Sequence, residues 1–81
     1  MPLKILLVDD SATERQQIQM SLSQYHVISA SSGFEAMRLL EEHPDIALII
    51  LDLNMPGMDG FQVLDKLRSD ERYGKIRIII L

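Results

Sequence analysis

Leu3-Lys4-Ile5-Leu6-Leu7-Val8-Asp9-Asp10-Ser11-Ala12-Thr13-Glu14 is the stretch that decides the fold. Residues 3–8 form a nearly unbroken run of Leu, Ile and Val, which reads as a strand buried on both faces. Asp9 and Asp10 end it. Ser11-Ala12-Thr13-Glu14 then reads as a capping box, with Ser11 as N-cap and Glu14 reaching back, and predicts a helix to about Ser23. A buried strand, a pair of acids and a helix start therefore follow one another within twelve residues.

The same pattern continues along the chain. The first helix has a thin apolar stripe, Ile18 and Leu22 at i and i+4 with Met20 beside them. Residues 26–30 are a short strand, and Ser31-Ser32-Gly33 is a turn and helix entry. Residues 34–42 are amphipathic, with Ala36, Met37, Leu39 and Leu40 on one side and Glu35, Arg38, Glu41 and Glu42 largely on the other. His43-Pro44-Asp45 stops that helix. Residues 46–51 form a second buried strand closed by Asp52, and residues 53–60 a loop with Pro56-Gly57 and Asp59-Gly60 turns. Residues 61–68 form a third helix with Phe61, Leu64 and Leu67 on one stripe. Residues 69–74 are a polar connector, and residues 75–81 a fourth strand. The order β-α-β-α-β-α-β predicts an α/β fold with parallel strands and right-handed crossovers.

Composition bounds the function. Eighty-one residues make one domain, residues 1–81, and 47% hydrophobic with 25% charged residues is a globular composition. Without cysteine there is no disulfide scaffold, thiolate zinc site or cysteine nucleophile. The net charge of −4 and the lack of a basic stripe argue against direct nucleic-acid binding. The opening apolar run is too short for a signal sequence or a membrane span, so a cytoplasmic location is expected.

Two strands end in acid, one in Asp9-Asp10 and one in Asp52. Open parallel sheets bind ligands outside the carboxyl ends of their strands, where the strand order reverses. If those strands are neighbours, three carboxylates converge, and each pair at about 4 Å repels by ~4 kcal/mol at an effective dielectric near 20. Such a cluster keeps a proton or binds a cation. Oxygen donors without His or Cys nearby point to Mg²⁺ or Mn²⁺. Acids at strand ends also serve simply to cap the next helix. Here Ser11 already supplies the cap, and a loop rather than a helix follows Asp52, which together favour a site. The other candidates are weaker. His26 and His43 lack metal-ligand spacing and read as surface or capping residues. Met55 and Met58 read as packed under their own loop, and Arg15 as part of a solvated helix face.

Leu7-Val8-Asp9-Asp10-Ser11 after the first strand and Leu51-Asp52-Leu53-Asn54-Met55-Pro56-Gly57-Met58-Asp59-Gly60 after the third resemble the receiver domain of two-component response regulators. Gly33-Phe34-Glu35-Ala36 at the second helix fits as well. The resemblance runs from Leu3 to Leu81 and implies a flavodoxin-like, doubly wound sheet of strand order 2-1-3-4. It implies that Asp52 accepts a phosphoryl group from a sensor histidine kinase or phosphotransfer protein. It also implies that Asp10 binds Mg²⁺ directly, Asp9 mainly through water, and Asn54 through its backbone carbonyl.

Receivers have five strands and five helices, so the chain matches a receiver cut after its fourth strand. The Ser or Thr past the fourth strand and the Lys ending the fifth fall outside it, so phosphorylation and switching are expected to be impaired. The outer edge Ile78-Ile79-Ile80-Leu81, with only Lys75 and Arg77 as gatekeepers, predicts a symmetric homodimer through the fourth strand. Two other functions are compatible with the residues. One is an interaction or assembly module with a vestigial acidic site. The other is a haloacid-dehalogenase-like phosphohydrolase, although that family wants an acid where Asn54 stands.

Overall fold

A computed structural model describes residues 3–55 and 57–81. The elements are β1 (Lys4–Val8), α1 (Ala12–Ser21), β2 (His26–Ala30), α2 (Gly33–Glu42), β3 (Leu48–Leu51), α3 (Gly60–Ser69) and β4 (Arg77–Ile80). All neighbouring strands are parallel, in the order β2-β1-β3-β4. This is the predicted α/β, flavodoxin-like arrangement. The surface is 5027 Å², close to the ~4,900 Å² of a compact chain of this size.

Alternation along β1 and β3 divides the core. Leu6, Val8, Ile49 and Leu51 face the layer that holds Ala36, Leu39 and Leu40 of α2 and Val63 and Leu67 of α3. Ile5, Leu7 and Ile50 face the opposite side, where Ile18 and Leu22 pack. The thin stripe of α1 has its consequence here. None of its residues is fully buried, and Met20 stands exposed.

Element bounds differ from expectation where a backbone group finds a closer partner. β3 begins at Leu48 rather than residue 46, because the Ile46 N–H turns back to the His43 carbonyl at 3.2 Å. Ile46 itself stays buried. β4 begins at Arg77 because that residue pairs with Leu48, the first residue of β3, while the Ile76 N–H closes a turn onto the Tyr73 carbonyl. On α3 the buried stripe is Gly60, Val63 and Leu67, so Phe61 lies well round the helix and is 61% exposed. Nor is the connector wholly polar, since Tyr73 is buried with Arg72 over its ring, 4.9 Å from the centroid.

Of the two turns in the β3–α3 loop, the one at Pro56 lies outside the described residues, whereas Gly57 has φ 74, the left-handed region that glycine enters freely. α3 opens with a reciprocal capping box. Asp59 accepts from the Gln62 N–H at 2.9 Å, and the Gln62 side chain accepts from the Asp59 N–H at 3.0 Å.

Candidate functional site

The acids converge because β1 and β3 are direct neighbours. Val8 pairs with Leu51, and the Asp52 N–H donates to the Val8 carbonyl at 2.9 Å. From β1 the chain leaves to β2 on one side and returns to β3 on the other, so the order reverses at this point. Asp9, Asp10 and Asp52 each place one carboxylate oxygen within 4.8 Å of the others. At that separation each ionised pair repels by about 3–4 kcal/mol at an effective dielectric near 20.

The three acids differ in setting. Asp9 is fully buried at 0% exposure; its N–H continues the ladder to the Ala30 carbonyl at 3.1 Å. Its Oδ1 accepts from the Ser11 N–H at 2.9 Å, while Oδ2 is buried without a hydrogen-bond donor. Asp10 is exposed, and Asp52 is half-buried. Asp52 Oδ1 accepts from the Asn54 N–H at 2.9 Å, an Asx turn that starts the loop and places Asn54 beside the acid. Behind Asp52 stands Gly60, where a Cβ would collide with the Asp52 carbonyl oxygen and the Leu53 Cα.

Residues 5–81 match the response regulator receiver domain family. The chain belongs to that family. Among relatives, chemotaxis protein CheY1 of Helicobacter pylori is 40% identical over 82 residues, covering 98% of this chain and 66% of that protein. The chain thus spans just under two thirds of that relative's length. The phosphorylated cyanobacterial phytochrome response regulator RcpA superposes with a TM-score of 0.92 at 31% identity, covering 99% of this chain and 64% of that one. The Mn²⁺-bound form of response regulator Rcp1 gives 0.88 at 31% identity, covering 98% and 64%. Membership of the receiver family sets aside the haloacid-dehalogenase alternative. No described helix of this receiver domain is long and apolar enough to cross a membrane.

Two residues at the receiver's acidic site behave differently from the sequence reading. Glu14 does not complete a capping box. Ser11 Oγ accepts from the Glu14 N–H at 3.3 Å, but the Ser11 N–H is taken by Asp9. The Glu14 carboxyl instead feels the buried carboxylate of Asp9. Sharing of a Glu14 proton with Asp9 comes first, then the Asp9 charge, burial and the lesser charges of Asp52 and Asp10, and together these hold its pKa above the ordinary glutamate value. Arg15 is not simply solvated: its Nη1 donates to the Asp9 carbonyl at 2.6 Å. The only signal for either in the sequence is their place on the first helical turn after the acid pair. His26 is exposed and His43 is the C-cap of α2, both apart from the acids in role.

Proposed function

We propose that this receiver domain is a cytoplasmic phosphoacceptor module. Asp52 takes a phosphoryl group from the phosphohistidine of a sensor kinase or phosphotransfer protein, with Mg²⁺ or Mn²⁺ held by Asp9, Asp10, Asp52 and the Asn54 carbonyl. The observation that carries this reading is the convergence of three carboxylates, one of which, that of Asp9, has a buried oxygen without a donor. A cation satisfies such an oxygen, and a donor set of hard oxygens suits Mg²⁺ or Mn²⁺. The similar proteins described as phosphorylated and as Mn²⁺-bound support the same chemistry.

In this reading the Asn54 N–H occupies Asp52 Oδ1 and leaves the other oxygen to attack. A new O–P bond forms as the P–N bond breaks, and the electron pair leaves with the imidazole. When bound, the cation offsets the negative charge of the carboxylates and the transferring phosphoryl oxygens.

Intact-mass spectrometry with an acyl phosphate donor and Mg²⁺ tests the reading. A single phosphoryl adduct is expected, absent from Asp52→Asn and absent with chelator. An adduct that persists in Asp52→Asn, or none with donor and Mg²⁺ in excess, overturns it.

The outer edge of β4 favours an assembly role alongside. Ile79 is 51% and Ile80 44% exposed on a strand that, among the described residues, pairs with β3 on one side. Such an edge is a template for a second strand, and a second copy presents the same edge across a two-fold axis. Light scattering at high micromolar concentration is expected to give a dimeric mass, reduced to monomeric by Ile79→Lys. A monomeric mass for the unaltered chain rejects this assembly.

A further inference from the structure

We propose that Arg15 is a positioning residue for the cation site. Its guanidinium, fastened to the Asp9 carbonyl, holds the bend that turns Asp9 and Asp10 toward Asp52. The proposal rests on the phosphoacceptor reading only through the existence of that cation site.

The placement of the bond makes this case. Asp9 lies beyond the last residue of β1, and Ser11 is the N-cap of α1, so Asp9 and Asp10 fall between two regular elements. The Asp9 N–H still belongs to the sheet through Ala30, but the Asp9 carbonyl accepts from a side chain rather than from a neighbouring strand. The donor is rooted in the helix, since the Arg15 N–H makes the first α1 bond to the Ser11 carbonyl at 3.0 Å. Arg15 therefore ties the helix start to the strand end across the two acids.

Arg15 is half-buried and reaches the main chain of Asp9, yet among the described residues it forms no ion pair. Its short contact, 2.6 Å, goes to a neutral carbonyl. A charged donor shortens and strengthens such a bond. Together with the Ser11 N–H on Asp9 Oδ1, it fixes Asp9 at both its main chain and its side chain. Outer partners of this kind orient the groups that touch a metal.

The sign of one measurement separates positioning from charge. A cation beside the site repels Mg²⁺, so if Arg15 acted only as a charge, its removal would tighten Mg²⁺ binding. If it positions the ligands, removal weakens binding. Mg²⁺ is titrated at fixed ionic strength and followed by the amide signals of Asp9, Asp10 and Asn54 in wild type, Arg15→Met and Arg15→Lys, with thermal unfolding measured in parallel. Arg15→Met is expected to bind about tenfold more weakly, the usual scale for an outer partner. Arg15→Lys, which keeps the charge and a donor, is expected to fall between. Arg15→Met binding as tightly as wild type, or more tightly, overturns the proposal. Should Arg15→Met fail to fold, Arg15→Lys decides: weaker binding with a native spectrum supports positioning, and wild-type affinity rejects it. A wild-type chain that does not respond to Mg²⁺ removes the cation site and this proposal together, an outcome distinct from the failure of Arg15 alone.

Discussion

Gly60→Ala is expected to destabilise the domain by about 3 kcal/mol, the upper part of the usual range for forcing a group into a packed site. For a chain of this length that lowers Tm by about 12–24 °C. The added methyl would meet the carbonyl oxygen of Asp52 and the Cα of Leu53. These main-chain atoms directly follow the Asp52 N–H, which is bonded to the Val8 carbonyl of β1, and the Gly60 N–H is itself bonded to the Leu53 carbonyl at 3.2 Å. The chain relieves the clash only by moving Asp52 or lifting the start of α3, so the Mg²⁺ response should be lost as well. Gly33→Ala is the informative control. Its methyl would meet the Met58 carbonyl oxygen at 2.6 Å and two side-chain atoms, Met58 Cγ and Val63 Cγ2, both at 2.8 Å. Part of that crowding yields by side-chain rotation, so a smaller loss is expected. Circular dichroism melts of both variants make the comparison. A Gly60→Ala protein with wild-type Tm would show that the β3–α3 loop is not held against Asp52.

Asp9→Asn should act in the opposite direction. In Mg²⁺-free buffer near neutral pH it is expected to stabilise the fold by about 1–3 kcal/mol, the scale on which replacing buried charges helps. It removes one of three charges that meet within 4.8 Å, and the amide keeps an oxygen for the Ser11 N–H. The same substitution should abolish stabilisation by millimolar Mg²⁺, which in wild type grows with the logarithm of ligand over Kd.

Glu14 adds a pH signature. Its raised pKa, due first to Asp9, means that the folded state binds this proton more tightly than the unfolded state. That contribution is fully present below the ordinary value of 4.5 and is lost as pH rises through the raised value. Asp9→Asn removes the main cause, so this part of the pH dependence should flatten. Equal melting of the two proteins, with equal Mg²⁺ shifts, would show that the carboxylates do not share a site.

The element order was legible because each strand is a short apolar run ended by an acid or a turn, and each helix carries its own stripe or cap. The acidic cluster was legible for the same reason, as Asp9, Asp10 and Asp52 each follow directly on a buried strand. Reading failed where a residue's partner lies outside its own period. Phe61 matched an i, i+3 pattern with Leu64 and Leu67, yet Val63 and Gly60 take the core side because α3 is pinned by the close approach of Gly60 to β3. Tyr73 sits in a polar stretch, and only the fold brings the core to it. β3 and β4 start later than their apolar runs, because Ile46 and Ile76 turn their N–H groups to local carbonyls.

By itself the sequence determined the α/β class, the parallel pairing and the three acids at strand ends. These follow from local patterning, buried runs that must pair and polar residues that must stop them. The tertiary structure alone decided that β1 and β3 bring those acids within 4.8 Å, that Asp9 is the buried member with an unsatisfied oxygen, that Arg15 donates to the Asp9 carbonyl, and that Asp9 raises the pKa of Glu14. Those outcomes depend on strand neighbours and on the geometry where a strand passes into a helix. Arginine and glutamate are common on exposed helix turns, and nothing in their local spacing says that Arg15 reaches back to the end of a strand or that Glu14 feels the acid there.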